Sequence, residues 1–541
     1  MPAALSDTAL VPLGLLFLFA LELCIALALT GGHFYYSLDD PYIHLAVSEQ
    51  IRALSYGLNP GEASTPSSSL LWPFLLAVTA GTPIHEVTPL LLSISAAVLT
   101  AMLLLRLTHR IAGAETQWLN TLTVLLIMAG FNWVGVVFTG MEHSAHVAAA
   151  LAVGVGLVES LERPSPWWLY AAIILNPLLR YEGLAVSFAG VMVLAWRGQR
   201  RAAVLLGVAS VLPIVLFSMI AVHNGLDPLP SSVLVKSAVL GKGASPLGGA
   251  VMSVLTMIKV PAFAGFVTLV IVHIVVCGRR SFSILHVYAL TILIAQAVAG
   301  RAGLGRYELY VYAAVLPVVA HLFRPKIAAV WQRRARAKMV LALAAIVFTA
   351  TTIGYLKMSA TMPLASRNVF LQQAQMARFA ADYWPDPVAA NDIGLVSYRD
   401  DDYVLDLWGL ANTEARRARG GGTSQGEAAA VSSGAEATFG KIAATSEGGS
   451  SAASGEWMRR LADEHSVTVA MIYDTWFTSI PPQWEPVARL SFTGPNINSG
   501  GAAVTFYSTS GRNSDRLRAA LEQFKVTLPP GATLVPITTA I

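Results

Sequence analysis

Apolar stretches long enough for membrane helices alternate with short polar loops over the first two thirds of the chain. A transmembrane helix needs about 20 apolar residues, and shorter helices suffice inside a bundle. The pattern predicts eleven spans, and a short apolar run at 68–81 that contains Pro73 predicts an interfacial or re-entrant helix. The predicted spans are 9–30, 86–106, 118–138, 144–161, 166–179, 183–196, 202–222, 249–276, 282–299, 307–322 and 339–357.

Beyond residue 357 the apolar residues come in short runs that alternate with helical patterns. This alternation is typical of a small α/β domain with a partly parallel sheet. The tract between Arg416 and Gly455 is rich in Gly, Ala and Ser and predicts a mobile insertion, while the final segment, rich in Thr and Pro, predicts no element. The strand-like runs are Val388–Tyr398, Tyr403–Leu407, Val467–Tyr473, Val487–Phe492 and Ala502–Ser508, with helices at Ser366–Tyr383 and Glu456–Glu464.

Arginine and lysine residues concentrate in every second predicted loop, most densely between Arg324 and Lys338. Cytoplasmic loops carry such an excess of basic residues. The rule predicts a multi-pass membrane protein with a cytoplasmic N-terminus, a membrane domain at 1–357 and an extracytoplasmic α/β domain at 358–541. The apolar N-terminal run has no basic region before it and no small-residue cleavage site, so we predict a retained helix rather than a signal peptide.

The composition agrees with a chain that lives mostly in lipid. Of its 541 residues, 55% are apolar and 13% are charged, against about 25% charged in soluble domains. The net charge of +4 does not indicate nucleic-acid binding, because the basic residues lie in short loops where topology explains them. Cys24 lies in a predicted span and Cys277 directly follows another, so no disulfide framework is available. The absence of a Walker loop, a dinucleotide fingerprint, metal-ligand Cys/His spacing and a Gly-x-Ser-x-Gly elbow argues against nucleotide-driven chemistry.

Two adjacent acids, Asp39 and Asp40, lie where the first predicted helix leaves the membrane. Ionised groups near hydrocarbon are costly and tend to be functional. Asp39 could cap a helix that starts at Pro41, but capping needs one acid and leaves the second without a role. One of the two carboxylates is therefore a candidate general base for an acceptor hydroxyl, or a ligand that holds a divalent cation against a phosphate.

A second outer motif is the turn Thr139–Ser144 between two predicted spans. Glu142 either lies at a helix N-terminus, where the dipole favours negative charge, or is another acid that faces the first two. In the second interpretation His143 contacts a phosphate or a metal. Asp40 and Glu142 are then the candidate ligands of a divalent ion such as Mg²⁺ or Mn²⁺.

The candidate cations come from three separate loops. Arg180, with Glu182, is either a buried ion pair that joins two short helices or an anion site, since a guanidinium matches phosphate oxygens. Lys236, in the long outer loop 223–248, either reaches toward headgroups or binds a lipid-linked phosphate as a point charge. Arg306 precedes a later span and has the same two interpretations.

Three further residues are candidates for acceptor binding or for structural support. Trp72 lies in the predicted loop helix and could stack on a sugar, although tryptophan at span ends is more often an interface anchor. Glu182 and His44 complete this group. Acids that serve an acceptor, together with cations that bind a phosphate leaving group, fit sugar transfer from a phosphorylated lipid.

These motifs resemble the GT-C superfamily of membrane glycosyltransferases, which includes protein O-mannosyltransferases, aminoarabinose transferases of lipid A and mycobacterial arabinofuranosyltransferases. An acidic pair in the first outer loop is the hallmark of that superfamily, matched here by Asp39-Asp40. The sequence Asp-Asp-Pro-Tyr-Ile, followed by Gly-Leu-Asn-Pro-Gly-Glu and Leu-Leu-Trp-Pro, resembles the arabinofuranosyltransferase branch most closely. The further similarities are Thr139–Glu142 to a Ser/Thr-Gly-x-Glu turn, Arg180–Gly183 to Arg-Pro-Glu-Gly with Tyr181 in place of proline, and Asn391–Gly394 with Asp406–Ala411 to Asp-x-Gly and Asp-x-x-Gly-Leu.

The resemblance implies a GT-C-like fold and an inverting hexosyl or pentosyl transfer from a polyprenyl-phosphate sugar to a glycan, lipid or protein on the outer face of the membrane. It implies that Asp39 or Asp40 deprotonates the acceptor and that Glu142 assists with the acceptor or a metal. Lys236, Arg180 and Arg306 would hold the donor phosphate. Some relatives use a divalent metal and others do not.

Two other function classes also fit a charged membrane cavity. A transporter or flippase of lipid-linked sugars usually has internal repeats and interrupted helices in matching positions, and the sequence has no such repeat. A non-catalytic envelope assembly protein would bind a partner through its outer domain. That class predicts that Asp39→Asn and Asp40→Asn leave function intact.

Overall fold

A computed structural model describes residues 6–113, 116–236, 246–277, 282–299, 305–331, 334–421 and 455–537. Most of the predicted insertion between Arg416 and Gly455 lies outside these residues. The helices of the membrane part are α1 Asp7–Leu29, α2 Asp40–Arg52, α3 Trp72–Ala77, α4 Thr88–Ala112, α5 Gln117–Gly130, α6 His143–Ser160, α7 Trp167–Leu179, α8 Gly183–Trp196, α9 Arg200–His223, α10 Ser231–Lys236, α11 Pro246–Ile258, α12 Pro261–Cys277, α13 Ile284–Ala299, α14 Leu309–Trp331 and α15 Arg334–Leu371.

The protein is a multi-pass membrane protein. Four helical stretches among the described residues are long and apolar enough to cross a bilayer, namely Asp7–Leu29, His85–Ala112, Arg200–His223 and Ala342–Tyr383. Large apolar side chains on α9, such as Leu205 and Met219, are exposed, as expected of a surface that faces lipid rather than water. Each of the eleven predicted spans overlaps a helix, although α5, α7, α8 and α13 are shorter than a full span.

The span predicted at 249–276 is not a single helix in the structure. Two helices, α11 and α12, replace it and meet at a 90° bend. Lys259 and Val260 separate them, and Pro261 begins α12. Proline lacks the backbone N–H that a continuous helix would need at this position, so the chain restarts there.

Helix α6 forms the centre of the membrane part. Nearly all of its residues are buried, including small ones such as Ala150 and Gly154, and it packs against α4, α7 and α14. Small residues allow neighbouring backbones to approach closely. A Cβ on Gly154 would meet the carbonyl oxygen of Ala314 on α14. This packing fixes the start of α6, where Glu142 and His143 lie.

The C-terminal domain contains one mixed six-stranded sheet with the order β2-β1-β3-β5-β4-β6. Strand β1 pairs in parallel with β2 and β3, and the remaining neighbours are antiparallel, which agrees with the predicted partly parallel sheet. The strands are β1 Val388–Ala390, β2 Val404–Asp406, β3 Val469–Ile472, β4 Glu485–Phe492, β5 Ala503–Ser508 and β6 Ala532–Pro536. The helices are α16 Gln373–Tyr383, α17 Gly394–Arg399, α18 Thr413–Gly421, α19 Glu456–Glu464 and α20 Ser514–Lys525.

Two details of this domain differ from the sequence prediction. The run Val388–Tyr398 is a strand only as far as Ala390, and α17 occupies its second half. The final part of the chain, where the sequence showed no clear signal, holds α20 and the edge strand β6. In α20 the apolar residues Leu517, Leu521 and Phe524 are buried at helical spacing.

Helix α17 packs against both α2 and α16. The C-terminal domain therefore rests directly on the helix that begins with the acidic pair. Further contacts lie around this point: Asn59 exchanges two hydrogen bonds with the backbone of Val404, each of 3.1 Å, and Arg399 bonds Glu86 at 2.6 Å. The domain thus contacts several loops of the membrane part as well as α2.

Candidate functional site

The two adjacent acids point to different neighbours. Asp39 precedes α2 and Asp40 is its first residue. Successive residues on a helix are about 100° apart around its axis, so the two carboxylates diverge. Asp40 faces a cluster of charged side chains in the membrane part, and Asp39 faces the C-terminal domain.

Asp40 forms an ion pair with Arg306, whose Nη1 lies 2.9 Å from Asp40 Oδ2. The Asp40 side chain is 21% exposed and that of Arg306 is 7% exposed. Nη2 of Arg306 donates to the hydroxyl of Tyr307 at 3.0 Å. Among the described residues, the buried Nε of Arg306 has no hydrogen-bond partner. The guanidinium thus retains donor capacity beside a partly exposed carboxylate.

Glu142 is the most deeply buried acid of the site, at 0% exposure. Its Oε1 accepts hydrogen bonds from Arg180 at 2.5 Å and from Ser68 at 2.8 Å, and its Oε2 lies 3.6 Å from Nε2 of His44. Burial raises the pKa of Glu142, but the charges of Arg180 and His44 and the bond from Ser68 lower it more. The net pKa lies below the ordinary value, so Glu142 is ionised.

A left-handed glycine positions Glu142. Gly140 has φ +65°, and a Cβ there would collide with Tyr36 and Pro41. Glycine adopts this conformation without the steric cost that other residues incur. The carbonyl of Gly140 also accepts a hydrogen bond from Nε1 of Trp72 at 3.3 Å. The turn is therefore held from both sides before α6 begins.

Arg180 differs from Arg306 because two carboxylates hold it. Its Nη1 bonds Glu142 and its Nη2 bonds Glu182 at 2.9 Å. Its guanidinium lies 5.5 Å from the ring centre of Tyr307, and that of Arg306 lies 4.9 Å from the same centre. Guanidinium groups at these distances are attracted to an aromatic ring. Tyr307 therefore joins the two ion pairs into one unit.

We call Asp40, Glu142, Arg180, Glu182 and Arg306 the charged cluster. With all five groups ionised it has three negative and two positive charges. An incoming phosphate would therefore need to contact a guanidinium whose charge and hydrogen-bond donors are not all used by carboxylates. Arg306 is the better placed of the two arginines to bind a phosphate. Among the described residues it pairs with one carboxylate, and its Nε–H has no hydrogen-bond partner.

The other residues singled out in the sequence occupy varied positions. His143 lies edge-on to Tyr307, with ring centres 5.8 Å apart, so it adjoins the charged cluster. Trp72 is 1% exposed, so it supports the Gly140 turn and presents no free face to a sugar. Nδ1 of His44 lies 3.0 Å from the hydroxyl of Ser67. Lys236 ends α10, and its side chain lies outside the described residues.

Sequence reasoning missed the serine run after Pro66. Ser67 and Ser68 contact His44 and Glu142, and Ser69 bonds the carbonyl of Leu178 at 3.3 Å. Three consecutive serines directly before the apolar run that starts at Leu70 were the available signal, because buried hydroxyls need partners. The three serines therefore link their own loop to the start of α6 and to the end of α7.

Asp39 bonds the C-terminal domain instead of the charged cluster. Its Oδ1 accepts from the backbone N–H of Leu395 at 2.9 Å, and its Oδ2 accepts from that of Gly394. A further hydrogen bond joins it to the carboxyl of Asp392. Burial and the charge of Asp392 raise the pKa of Asp39 well above its usual value, although the two backbone donors oppose this rise. The two carboxyls therefore share a proton.

The charged cluster does not fit a divalent metal. Among the described residues, no group of three or more His, Cys, Asp or Glu side chains is arranged to hold an ion. Asp40 and Glu142, the two candidate ligands, are each bonded to a guanidinium. A cation bound to either carboxylate would lie beside that guanidinium and be repelled by it, so we assign no step to a metal.

Comparisons with known proteins give one family match, which lies in the C-terminal part. Residues 367–507 match a family described as a domain of unknown function, DUF8728. This stretch includes Asp392, Gly394 and the whole of α17. No curated protein matches the sequence.

Several solved structures align with most of the chain at low sequence identity. ArnT from Cupriavidus metallidurans, bound to undecaprenyl phosphate, is 12% identical, and the match covers 92% of this chain and 98% of that one with a TM-score of 0.48. The Archaeoglobus fulgidus oligosaccharyltransferase with zinc and sulfate is 12% identical, covering 96% of this chain and 75% of that one with a TM-score of 0.47. Its apo form gives 12% identity, 97% and 76% coverage and a TM-score of 0.46.

Proposed function

We propose that this protein is a glycosyltransferase that moves a sugar from a polyprenyl-phosphate donor to a hydroxyl of a glycan, lipid or protein on the outer face of the plasma membrane. The observation that carries the proposal is the Asp40–Arg306 pair. A partly exposed carboxylate and a guanidinium with a spare donor lie 2.9 Å apart. One can serve as base for the acceptor and the other can bind the leaving phosphate.

In the proposed inverting transfer the acceptor oxygen attacks the anomeric carbon from the side opposite the departing phosphate, so the Asp40–Arg306 ion pair must separate when the substrates bind between the two groups. The acceptor oxygen forms a bond to this carbon as its proton passes to Asp40. The bond from the anomeric carbon to the phosphate oxygen breaks, and its electron pair leaves with the polyprenyl phosphate. Arg306 stabilises the charge that develops on that oxygen, which is an electrostatic contribution of the kind that lowers barriers most.

Glu142, Arg180 and Glu182 have a supporting role in this proposal. Two carboxylates neutralise Arg180 and hold it against Tyr307. Tyr307 in turn contacts Arg306, through its ring and through the hydrogen bond to its hydroxyl. Such positioning keeps reactive groups at productive distances, and a small displacement of these groups lowers the reaction rate.

The proposed function is tested by deleting the protein in its host and analysing two pools by mass spectrometry. A glycosyltransferase of this class predicts loss of one sugar from the envelope, with accumulation of a polyprenyl-phosphate sugar in the lipid extract. Reintroduction of the wild-type chain should reverse both changes. Unchanged envelope glycans and unchanged lipids would contradict the proposal.

The same experiment separates the enzyme from the flippase alternative when the lipid pool is divided by membrane face. Without the transferase, the donor lipid still reaches the outer face but is not consumed there. A missing flippase leaves it on the cytoplasmic face. Accumulation confined to the cytoplasmic face would therefore favour the flippase and contradict the transferase.

A further inference from the structure

Asp39, the first acid of the pair, makes hydrogen bonds that a catalytic base would not require. Asp39 is buried, and both of its oxygens accept backbone hydrogen bonds from the start of α17. A base that must meet an acceptor hydroxyl needs an open lone pair within reach of substrate. Both oxygens of Asp39 instead accept hydrogen bonds from the C-terminal domain.

Gly394 allows the two parts to come this close. A Cβ at position 394 would collide with both the carbonyl oxygen and the carboxylate of Asp39. The contact therefore requires glycine for space, and no left-handed backbone is involved. Any side chain here would push α17 away from the start of α2.

Asp392 supplies the third contact and is itself held in place. Its Oδ2 accepts from Nε2 of Gln373 at 2.9 Å, and the same nitrogen lies 3.1 Å from the hydroxyl of Tyr473. Burial raises the pKa of Asp392, although the hydrogen bonds from Gln373 and Asp39 oppose the rise. The further charge that acts on it is that of Asp40. The position of Asp392 is thus fixed by the domain core.

We propose that Asp39 is the positioning residue through which the C-terminal domain holds Asp40 in register with Arg306. The inference rests on the proposed function, since it assigns the base to Asp40. Asp39 and Asp40 are consecutive, so an anchored Asp39 fixes the backbone from which the Asp40 side chain extends. The family of unknown function that matches 367–507 then contains the anchor for a site in the membrane part.

Three other sets of hydrogen bonds hold the domain in place and do not involve the start of α2. Asn59 binds Val404, Arg416 binds Asp227 and Ser231, and Arg399 binds Glu86. Loss of the Asp39 anchor should therefore leave the domain docked while loosening α2 locally. This separation makes the inference testable without unfolding the protein.

The test compares Gly394→Ala with Gly511→Ala in the full-length chain. Gly511 lies in the same domain, and a Cβ there meets nothing within 4 Å. We expect Gly394→Ala to lower sugar transfer, measured as restored envelope sugar per unit of protein, by about a hundredfold, because a displacement near 1 Å is enough for such a loss. Hydrogen exchange should rise at 394–399 and at the start of α2. Gly511→Ala should match the wild type in both readouts.

A second pair of variants distinguishes anchoring from chemistry. Asp39→Asn keeps the volume but offers one acceptor to two backbone N–H groups, so exchange at 394–399 should rise along with the loss of transfer. Asp401→Asn, an exposed acid in the same domain, is the matched control. If Asp39→Asn abolishes transfer while exchange at 394–399 stays at the wild-type rate, Asp39 acts chemically and the inference is overturned.

Two further outcomes are informative. Full transfer activity in Gly394→Ala or Asp39→Asn, alongside loss in Asp40→Asn, would overturn the positioning role and leave the proposed function intact. Full activity in Asp40→Asn would contradict the proposed function itself. In that case the exchange measurement still decides whether Asp39 anchors α17, since it does not depend on catalysis.

Discussion

Two arginines border one tyrosine ring, and their hydrogen bonds give them different chemical capacities. Arg180 bonds two carboxylates, whereas Arg306 bonds one and keeps a buried N–H without a partner among the described residues. The sequence identified both as candidate phosphate ligands but did not separate them. Their difference arises from Glu142 and Glu182, which lie 38 residues and 2 residues from Arg180. A pairing over the longer separation is decided by tertiary packing.

Arg306→Lys should weaken phosphate binding while preserving the charge. Lysine offers a compact ammonium and cannot bond both Asp40 and Tyr307 in the planar geometry that the guanidinium adopts. We expect the affinity of the purified protein for undecaprenyl phosphate to fall about tenfold, which corresponds to about 1.4 kcal/mol. A binding titration in detergent measures this change.

The matched control is Arg518→Lys, a surface residue of the C-terminal domain that pairs with Glu485. It should bind undecaprenyl phosphate as the wild type does. Equal affinities of the Arg306→Lys and Arg518→Lys variants would remove Arg306 from the phosphate site.

At the scale of elements, the sequence predicted those with strong periodicity and missed those that depend on context. The positions of α1, α4, α9 and α19 follow from apolar runs or clear amphipathic spacing. The break in 249–276 had a local signal in Pro261, and α20 had one in its apolar spacing, so both were within reach of the sequence. The short helix α17 was not, since the stretch after β1 was interpreted as part of the same strand and the start of α17 is fixed by Asp39, 355 residues away from Gly394.

The shared proton between Asp39 and Asp392 should make the contact of α2 with α17 sensitive to pH. The pKa of each carboxyl is raised in the folded protein. A raised pKa means that the stabilisation is fully present below the ordinary carboxyl pKa and is lost as pH rises through the raised value. The pair should therefore contribute less stability at alkaline than at acidic pH.

Asp392→Asn removes this titration and keeps a donor for Asp39, because the asparagine amide replaces the shared proton. The difference in unfolding temperature between this variant and the wild type should shift in favour of the variant as pH rises. Asp401→Asn should show no such shift. Thermal unfolding monitored across a pH series measures the effect, and parallel curves for wild type and Asp392→Asn would refute it.

At the scale of the whole molecule, the C-terminal domain contacts the membrane part next to the candidate reacting groups. Composition and basic-residue spacing were sufficient to predict a helical membrane part followed by an α/β domain. They gave no means to predict that the domain would bind Asp39, since the partners are backbone N–H groups that no side-chain pattern reveals. From the sequence, the acidic pair was interpreted as one functional unit. In the structure, one carboxylate contacts the membrane part and the other contacts the C-terminal domain.

The most direct measurement is the mass of the envelope glycans in a deletion strain that carries the Asp40→Asn variant, compared with the same strain carrying Asp401→Asn. Asp40→Asn preserves the size of the side chain and removes the base, so the account predicts that the missing sugar is not restored at equal protein level. Asp401→Asn should restore it fully. Restoration by Asp40→Asn to the level of that control would contradict the assignment of Asp40 and Arg306 as the reacting pair.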